Sequence, residues 1–284
     1  MAIEAYLDES GIHSGSLMCA ISGYFGGPGK WRKFEADWRS TLTCHKVPLH
    51  EFHAKDLYPK RKGWFKHHWD GDHNALLNDL ASAIMNHPKV HPLSVGILVE
   101  DFNSFPIEAR RYFTGAGMRG GKVIDDGCPS KWYFVPFQRC VHTVCEYAPV
   151  GGRAHFFFGI DRPFYGYASK LFEQMANSPR RGKLDEWKDR IGNAFAPMAK
   201  ETPHLQAADL LANLTYNHML DAGENLGKVF PPPLLAKCIE NRRSIDDFFF
   251  LTKSNLQSTY DMAMGGSTHP DSTVPGMFKV KKYG

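Results

Sequence analysis

Residues 155–160, His-Phe-Phe-Phe-Gly-Ile, do most to limit the fold. This short, nearly continuous apolar run follows Gly151-Gly152 and has no polar side to show to water, so it reads as a strand covered on both faces. Covering both faces of a sheet calls for helices above and below it, which points to the α/β class. Asp161 stands at the carboxyl end of that strand.

The first residues make a different kind of strand. Ile3, Ala5 and Leu7 alternate with Glu4, Tyr6 and Asp8, the period-two pattern of a strand with two unlike faces. Turn residues from Gly11 to Gly15 precede an apolar segment over 17–25, so the two segments predict an antiparallel hairpin. Helical spacing follows over 31–42, with Phe34, Trp38 and Leu42 on one face, and again through Leu76, Leu77, Leu80 and Ile84. Residues 92–99 read as a strand and 131–147 as a long helix buried through Phe134, Phe137, Val141 and Val144. A helix over 167–176 leads to a strand-like segment over 194–199, where Pro197 marks an edge or a bulge. Thr202 and Pro203 then suit the N-cap and first position of a helix running through Tyr216.

Two stretches break this rhythm. Residues 48–72 are polar, aromatic and rich in Lys and His, and read as an excursion. Residues 102–130 carry glycines and little periodicity, and read as an ordered functional loop or a lid. We therefore expect one domain over residues 1–264, with insertions near 48–74 and 102–130, and an extended arm over 265–284 where Gly, Ser, Pro and Thr collect.

The chain of 284 residues is 43% hydrophobic and 23% charged, enough apolar mass for a sizeable core. A net charge of +4 is too small to argue for a nucleic-acid partner. Basic residues cluster at 30–33, 60–62, 180–183 and 279–282, several beside aromatics, which suits phosphate contacts and equally suits solvated loops. Six cysteines without a C-x-x-C pair argue against a disulfide framework or a cysteine zinc site. No secretory leader pattern and no membrane-length apolar run occurs, so the expectation is a cytoplasmic protein without a membrane partner.

Acidic residues on separate elements form the strongest candidate constellation: Asp8 after the first strand segment, Asp161 after the apolar strand, and Asp209 within the helix that begins at Pro203. Converging carboxylates suit hard divalent cations, and a pair of such ions stabilises both oxygens of a phosphoryl displacement. Asp8 shares the parity of Glu4 and Tyr6, whereas Glu9 continues the apolar face of Leu7, so only one of the two enters a site and Asp8 is preferred. Glu9 remains as a supporting residue or as an acceptor at the Ser10-Gly11 turn. Gln206, Asp209 and Asn213 form a polar line in an otherwise apolar helix, with Gln206 supporting and Asp209 open to either a metal or a capping role.

His53 is a candidate acid or base and Glu51 a candidate outer metal ligand within His50-Glu51-Phe52-His53-Ala54-Lys55-Asp56. The cluster from His67 to His73 reads as a solvent-facing loop before it reads as a second metal site. Glycines over 115–121 lack the context of a nucleotide fold, although Arg119 and Lys122 are placed to meet a phosphate.

At Asp8-Glu9-Ser10-Gly11, Glu51-Phe52-His53-Ala54 and Leu205-Gln206-Ala207-Ala208-Asp209-Leu210-Leu211-Ala212 the chain resembles the domain of unknown function 3800 family, over roughly residues 1–220. The resemblance implies an RNase H-like mixed β-sheet flanked by helices and an acidic nuclease centre dependent on Mg²⁺ or Mn²⁺. It matches Asp8 to the first-strand acid, His53 to the family histidine and Asp209 to the late-helix acid, with Asp161 matched through its strand. A glutamate on a middle helix is not evident, and Glu146 and Glu51 are the candidates for its place. The expected function is metal-dependent hydrolysis of phosphodiester bonds in DNA or RNA. A non-catalytic module binding nucleic acid or protein, and a hydrolase of small phosphorylated molecules, remain as alternatives. A protein partner or a second copy of the chain stays open.

Overall fold

The computed structural model describes residues 2–119, 122–124, 127–159, 162–177, 183–199, 201–223, 229–243 and 247–264. The first two strands are β1 (Ala2–Ser10) and β2 (Met18–Gly26), paired antiparallel with Asp8 opposite Ser22. Gly11 closes the hairpin at φ 77°, where a side chain would strike the Met18 carbonyl and the Tyr216 ring. Helix α1 (Pro28–Cys44) buries Trp31, Phe34, Trp38 and Leu42, the stripe that its spacing predicts.

Residues 48–72 fold back as a 3₁₀ turn and two short helices, α2 (Ala54–Leu57) and α3 (Gly63–His68). Phe52, Leu57, Phe65 and Trp69 bury into the same apolar cluster as α1, so this excursion belongs to the core. Asp72 caps α4 (His73–Met85) by accepting from the Asn74 and Ala75 amides, which gives the residues around His67 to His73 a structural task.

Strand β3 (Val90–Leu98) continues the meander antiparallel to β2. The stretch expected as a loop or lid over 102–130 is more regular than that reading. It overlaps α5 (Val99–Asn103) and holds α6 (Ile107–Phe113) and a small hairpin of β4 (Met118–Arg119) and β5 (Lys122–Val123). Phe102, Phe105, Ala109 and Phe113 are buried there, so apolar burial rather than loop chemistry fixes the first half. Helix α7 (Phe134–Tyr147) and strand β6 (Arg153–Phe158) follow, with β6 parallel to β1. Ala154, Phe156 and Phe158 join the core on one side of β6 while Phe157 packs on the other, as a doubly covered strand requires.

Helix α8 (Arg162–Asn177) connects to β7 (Ile191–Pro197), an edge strand whose register shifts against β6. Thus Pro197 sits where a missing amide is tolerated. Helix α9 (Pro203–Ala222) starts at Thr202, although the Thr202 hydroxyl donates back to the Ala199 carbonyl instead of accepting from the helix. The remaining elements are α10 (Pro233–Cys238), β8 (Phe248–Leu251) and α11 (Lys253–Met264).

The result is an α/β protein built on a mixed six-stranded sheet in the order β7-β6-β1-β2-β3-β8. In that sheet β2 pairs antiparallel with both β1 and β3, and the other pairings are parallel. On one face Ile3, Ala5, Leu7, Ile21, Val95 and Ile97 pack with α7 residues including Phe137 and Val141. On the other, Tyr6 and Tyr24 pack with α1, α4, α9 and α10. The tail over 265–284 and the basic residues 180–182 lie outside the described residues.

Candidate functional site

Alternation along β1 decides where Asp8 goes. Tyr6 lies in the α9-side core and Leu7 in the α7-side core, so Asp8 projects toward α9. The same conclusion follows from β6: a Cβ on Gly159, next after Phe158, would stand 2.7 Å from Asp8 Oδ1. Glycine at 159 therefore leaves room for the carboxylate beside the carboxyl end of the neighbouring parallel strand. Asp8 is 1% exposed, and its Oδ1 accepts the Glu9 amide at 3.0 Å.

Helix α9 runs alongside β1 in the same direction. The His204 ring stacks on Tyr6 with centroids 4.5 Å apart, and the Tyr216 ring covers Gly11. Two strand residues from Tyr6 to Asp8 advance about 6.6 Å. Five helical residues from His204 to Asp209 advance about 7.5 Å. Asp8 and Asp209 therefore lie on the same side of the sheet at similar heights along β1 and α9, with Asp209 turned about 140° around the helix from the sheet-facing His204.

Below α9, Asp8 opens a transverse polar row. Ser22 pairs with it on β2 and Ser94 with Ser22 on β3. Their hydroxyls meet at 2.6 Å, and Ser94 meets the Thr215 hydroxyl of α9 at 3.0 Å. Each of these hydroxyls is buried and satisfied by the next, so the row fixes the register of α9 over the sheet.

Asp209 turns toward the excursion. Its Oδ2 accepts the Ala54 amide at 2.9 Å, an otherwise unpaired donor in the first turn of α2, and lies 3.9 Å from His53 Nδ1. The Asp209 carboxylate raises the His53 imidazole above its usual value against the opposing effect of burial. Gln206 does not support Asp209 directly. It accepts from Trp38 Nε1 at 3.0 Å and donates to the Leu49 carbonyl, fastening α1 and the excursion to α9. Glu51 stands 3.5 Å from His50.

Glu9 faces the other way, toward Cys19 and Tyr133 at the start of α7. Burial and then the Glu9 charge push the Cys19 thiol up, and the same two causes push the Tyr133 phenol well above its ordinary range, with Asp8 adding to the latter. Tyr133, 4% exposed, thus lies in the field of both carboxylates. Sequence reading treats it only as the edge of a helix.

One other assignment separates from this group. Glu146 lies near the far end of α7, its side chain 3.5 Å from His142 and its carbonyl accepting from Arg190, so it does not supply the middle-helix acid at Asp8. Arg119 and Lys122 pair in the small hairpin of β4 and β5, with Lys122 exposed. Asp161 lies outside the described residues.

Among the described residues, no three His, Cys, Asp or Glu side chains are grouped to hold a metal ion. Two carboxylates still match the way Mg²⁺ is commonly bound, by one or two carboxylates with waters and substrate phosphates completing the shell. The oxygen chemistry of Asp8 and Asp209 fits such a hard ion, and none of the six cysteines is in a disulfide. No family model, curated protein or solved structure matches the chain. Among the described residues no helix is long and apolar enough to cross a membrane.

Proposed function

We propose that the chain is a divalent-cation-dependent nuclease of RNase H-like architecture, related to the domain of unknown function 3800 family. The observation that carries this reading is the placement of Asp8 and Asp209 on one side of the sheet and at similar heights, beside the carboxyl end of β6. Carboxyl ends of parallel strands are where open α/β sheets bind their ligands. The mixed sheet with helices on both faces supports the finer fold assignment.

Asp8 and Asp209 would hold Mg²⁺ or Mn²⁺, with Asp161 assigned to the same set by sequence alone. When bound, the ion supplies electrostatic stabilisation of the phosphoryl oxygens. His53, beside Asp209, would assist proton transfer. Asp209 Oδ2 anchors Ala54 and orients His53, while Oδ1 remains for the ion. Arg119 and Lys122, assigned to phosphate contacts from the sequence, would hold the nucleic-acid backbone.

One observation favours a second reading, a non-catalytic binding module: Asp209 already has a structural task as the acceptor for Ala54. Single- and double-stranded DNA and RNA incubated with Mg²⁺, Mn²⁺ or EDTA separate the two. Cation-dependent cleavage that falls about 100-fold or more in both Asp8→Asn and Asp209→Asn supports the nuclease. Cleavage untouched by both substitutions defeats it, and binding with no turnover on any substrate supports the module.

A further inference from the structure

Two cavities open at opposite ends of the parallel strands. One, of about 390 Å³, lies at their amino ends among Arg153, Lys188, Asp189 and Ile191. The other, of about 530 Å³, lies where the β1–β2 turn meets the starts of α7 and α8, at the carboxyl end where Asp8 sits. Ile12, Pro129, Phe134, Phe164 and Tyr167 give it an apolar, largely aromatic lining, and Lys131 brings a cation to it.

Its walls are held in place before any ligand arrives. The Phe164 ring stacks on Tyr133 at 4.5 Å with planes 17° apart, and Phe134 meets Tyr167 edge-on at 4.6 Å. Tyr167 is pinned through its hydroxyl, which donates to the Thr114 carbonyl at 3.2 Å and lies 2.8 Å from Cys128 Sγ. Tyr133 backs Phe164 on the α7 side of the sheet, the side that Glu9 faces, so the cavity lies at the same end of the sheet as Asp8 but on the opposite face.

A pocket of this size, within the range of roughly 300–1,000 Å³ typical of small-molecule sites, holds a planar heterocycle with its sugar. Rigid aromatic faces bind such a ring by stacking, and a neighbouring ammonium answers the charge of an attached phosphate. The amino-end cavity offers no aromatic face. We propose that the cavity bounded by Phe134, Phe164 and Tyr167 is a nucleobase subsite, seating one base of the strand whose phosphate is held by Lys131. This assignment rests on the nuclease reading for its nucleic-acid ligand, and specifies which part of the substrate is gripped away from the reacting bond.

Calorimetric binding in EDTA tests it without turnover, using adenosine 5′-monophosphate, adenosine and ribose 5-phosphate as probes. The expected order is adenosine 5′-monophosphate tightest, with ribose 5-phosphate weaker by about tenfold or more because it lacks the stacking ring. Phe164→Ala should erase the advantage of the base, while Phe164→Trp keeps it. Lys131→Glu, at an exposed position that leaves the core intact, should weaken the monophosphate and spare adenosine. Equal affinity for adenosine 5′-monophosphate and ribose 5-phosphate, or an unchanged base advantage in folded Phe164→Ala, overturns the subsite. Base binding that depends on Phe164, in a protein that cuts no nucleic acid with either cation, upholds the subsite and removes the nuclease. Cleavage together with a base advantage indifferent to Phe164 removes the subsite alone.

Discussion

The two faces of the central sheet handle buried polar groups differently. Toward α7, Ile3, Ala5, Leu7, Ile21, Val95 and Ile97 of the strands meet Phe137, Val141 and Val144, with Glu9 near the end of β1 and Arg139 of α7, over the Phe249 ring, as buried charged side chains. Toward α9, the same strands bury Asp8, Ser22 and Ser94 in one row, and α9 adds Thr215 and His204. Buried polar groups contribute little net stability and are costly when left unmatched. Both faces carry an apolar core, and the α9 face gives up part of its packing to a polar row that holds side chains in register.

The largest effect separating the faces is expected from emptying the α7 side. Phe137→Ala removes a fully buried ring and should cost about 3–5 kcal/mol in urea unfolding. A loss below about 1 kcal/mol would mean that the ring is not part of a tightly packed core.

A pH effect of nearly that size belongs to the α9 face. His204 is 9% exposed, surrounded by Tyr6, Trp31 and Phe34, and neither ring nitrogen has a hydrogen-bond partner among the described residues. Burial pushes its imidazole down to about 4, with the Glu35 charge opposing and Arg39 reinforcing the shift. In the unfolded chain a histidine titrates near 6.5, so the unfolded state takes up the proton first. Stability is then whole above about 6.5 and falls by up to about 3 kcal/mol as the pH drops toward 4. Denaturant titrations across that window should show the loss in the native protein and a flatter profile in His204→Phe. Identical profiles would remove His204 as the cause.

Ser94→Ala probes the polar row itself. Ser94 bridges Ser22 and Thr215, so its removal leaves two buried hydroxyls short of a partner, at a cost of about 1–3 kcal/mol in the same unfolding measurement. A neutral result would mean that the row does not hold α9 in place. The smallest effect is a shift in titration: Asp209→Asn should lower the His53 pKa toward its ordinary value, seen in the pH dependence of its ring proton resonances. An unmoved His53 would break the link between the helix and the excursion.

What the sequence shows of this contrast depends on how local each signal is. The alternation in β1 assigns Asp8 and Glu9 to opposite faces, and the apolar spacing of α1, α4 and α7 is strong enough to locate each helix. The four residues of β8, Phe-Phe-Phe-Leu, are too few to announce a strand and gain their order from β3. Helix α6 hides within a stretch whose later glycines suggest a loop, although Phe102, Phe105, Ala109 and Phe113 carry a usable apolar spacing. Ser22, Ser94 and Thr215 give no local sign of meeting, because their row exists only through strand register. Asp209 stands out in its apolar helix, yet its bond to the Ala54 amide joins residues 155 apart and belongs to tertiary structure.

The proposed nuclease requires Asp8 and Asp209 to share one divalent cation. Titration of Mn²⁺ into the native protein, followed by the loss of the free-ion electron paramagnetic resonance signal, addresses it independently of any substrate. The account predicts a saturable site that weakens at least about tenfold in Asp8→Asn and again in Asp209→Asn, in variants that remain folded. Retention of native Mn²⁺ affinity by either folded variant would contradict it.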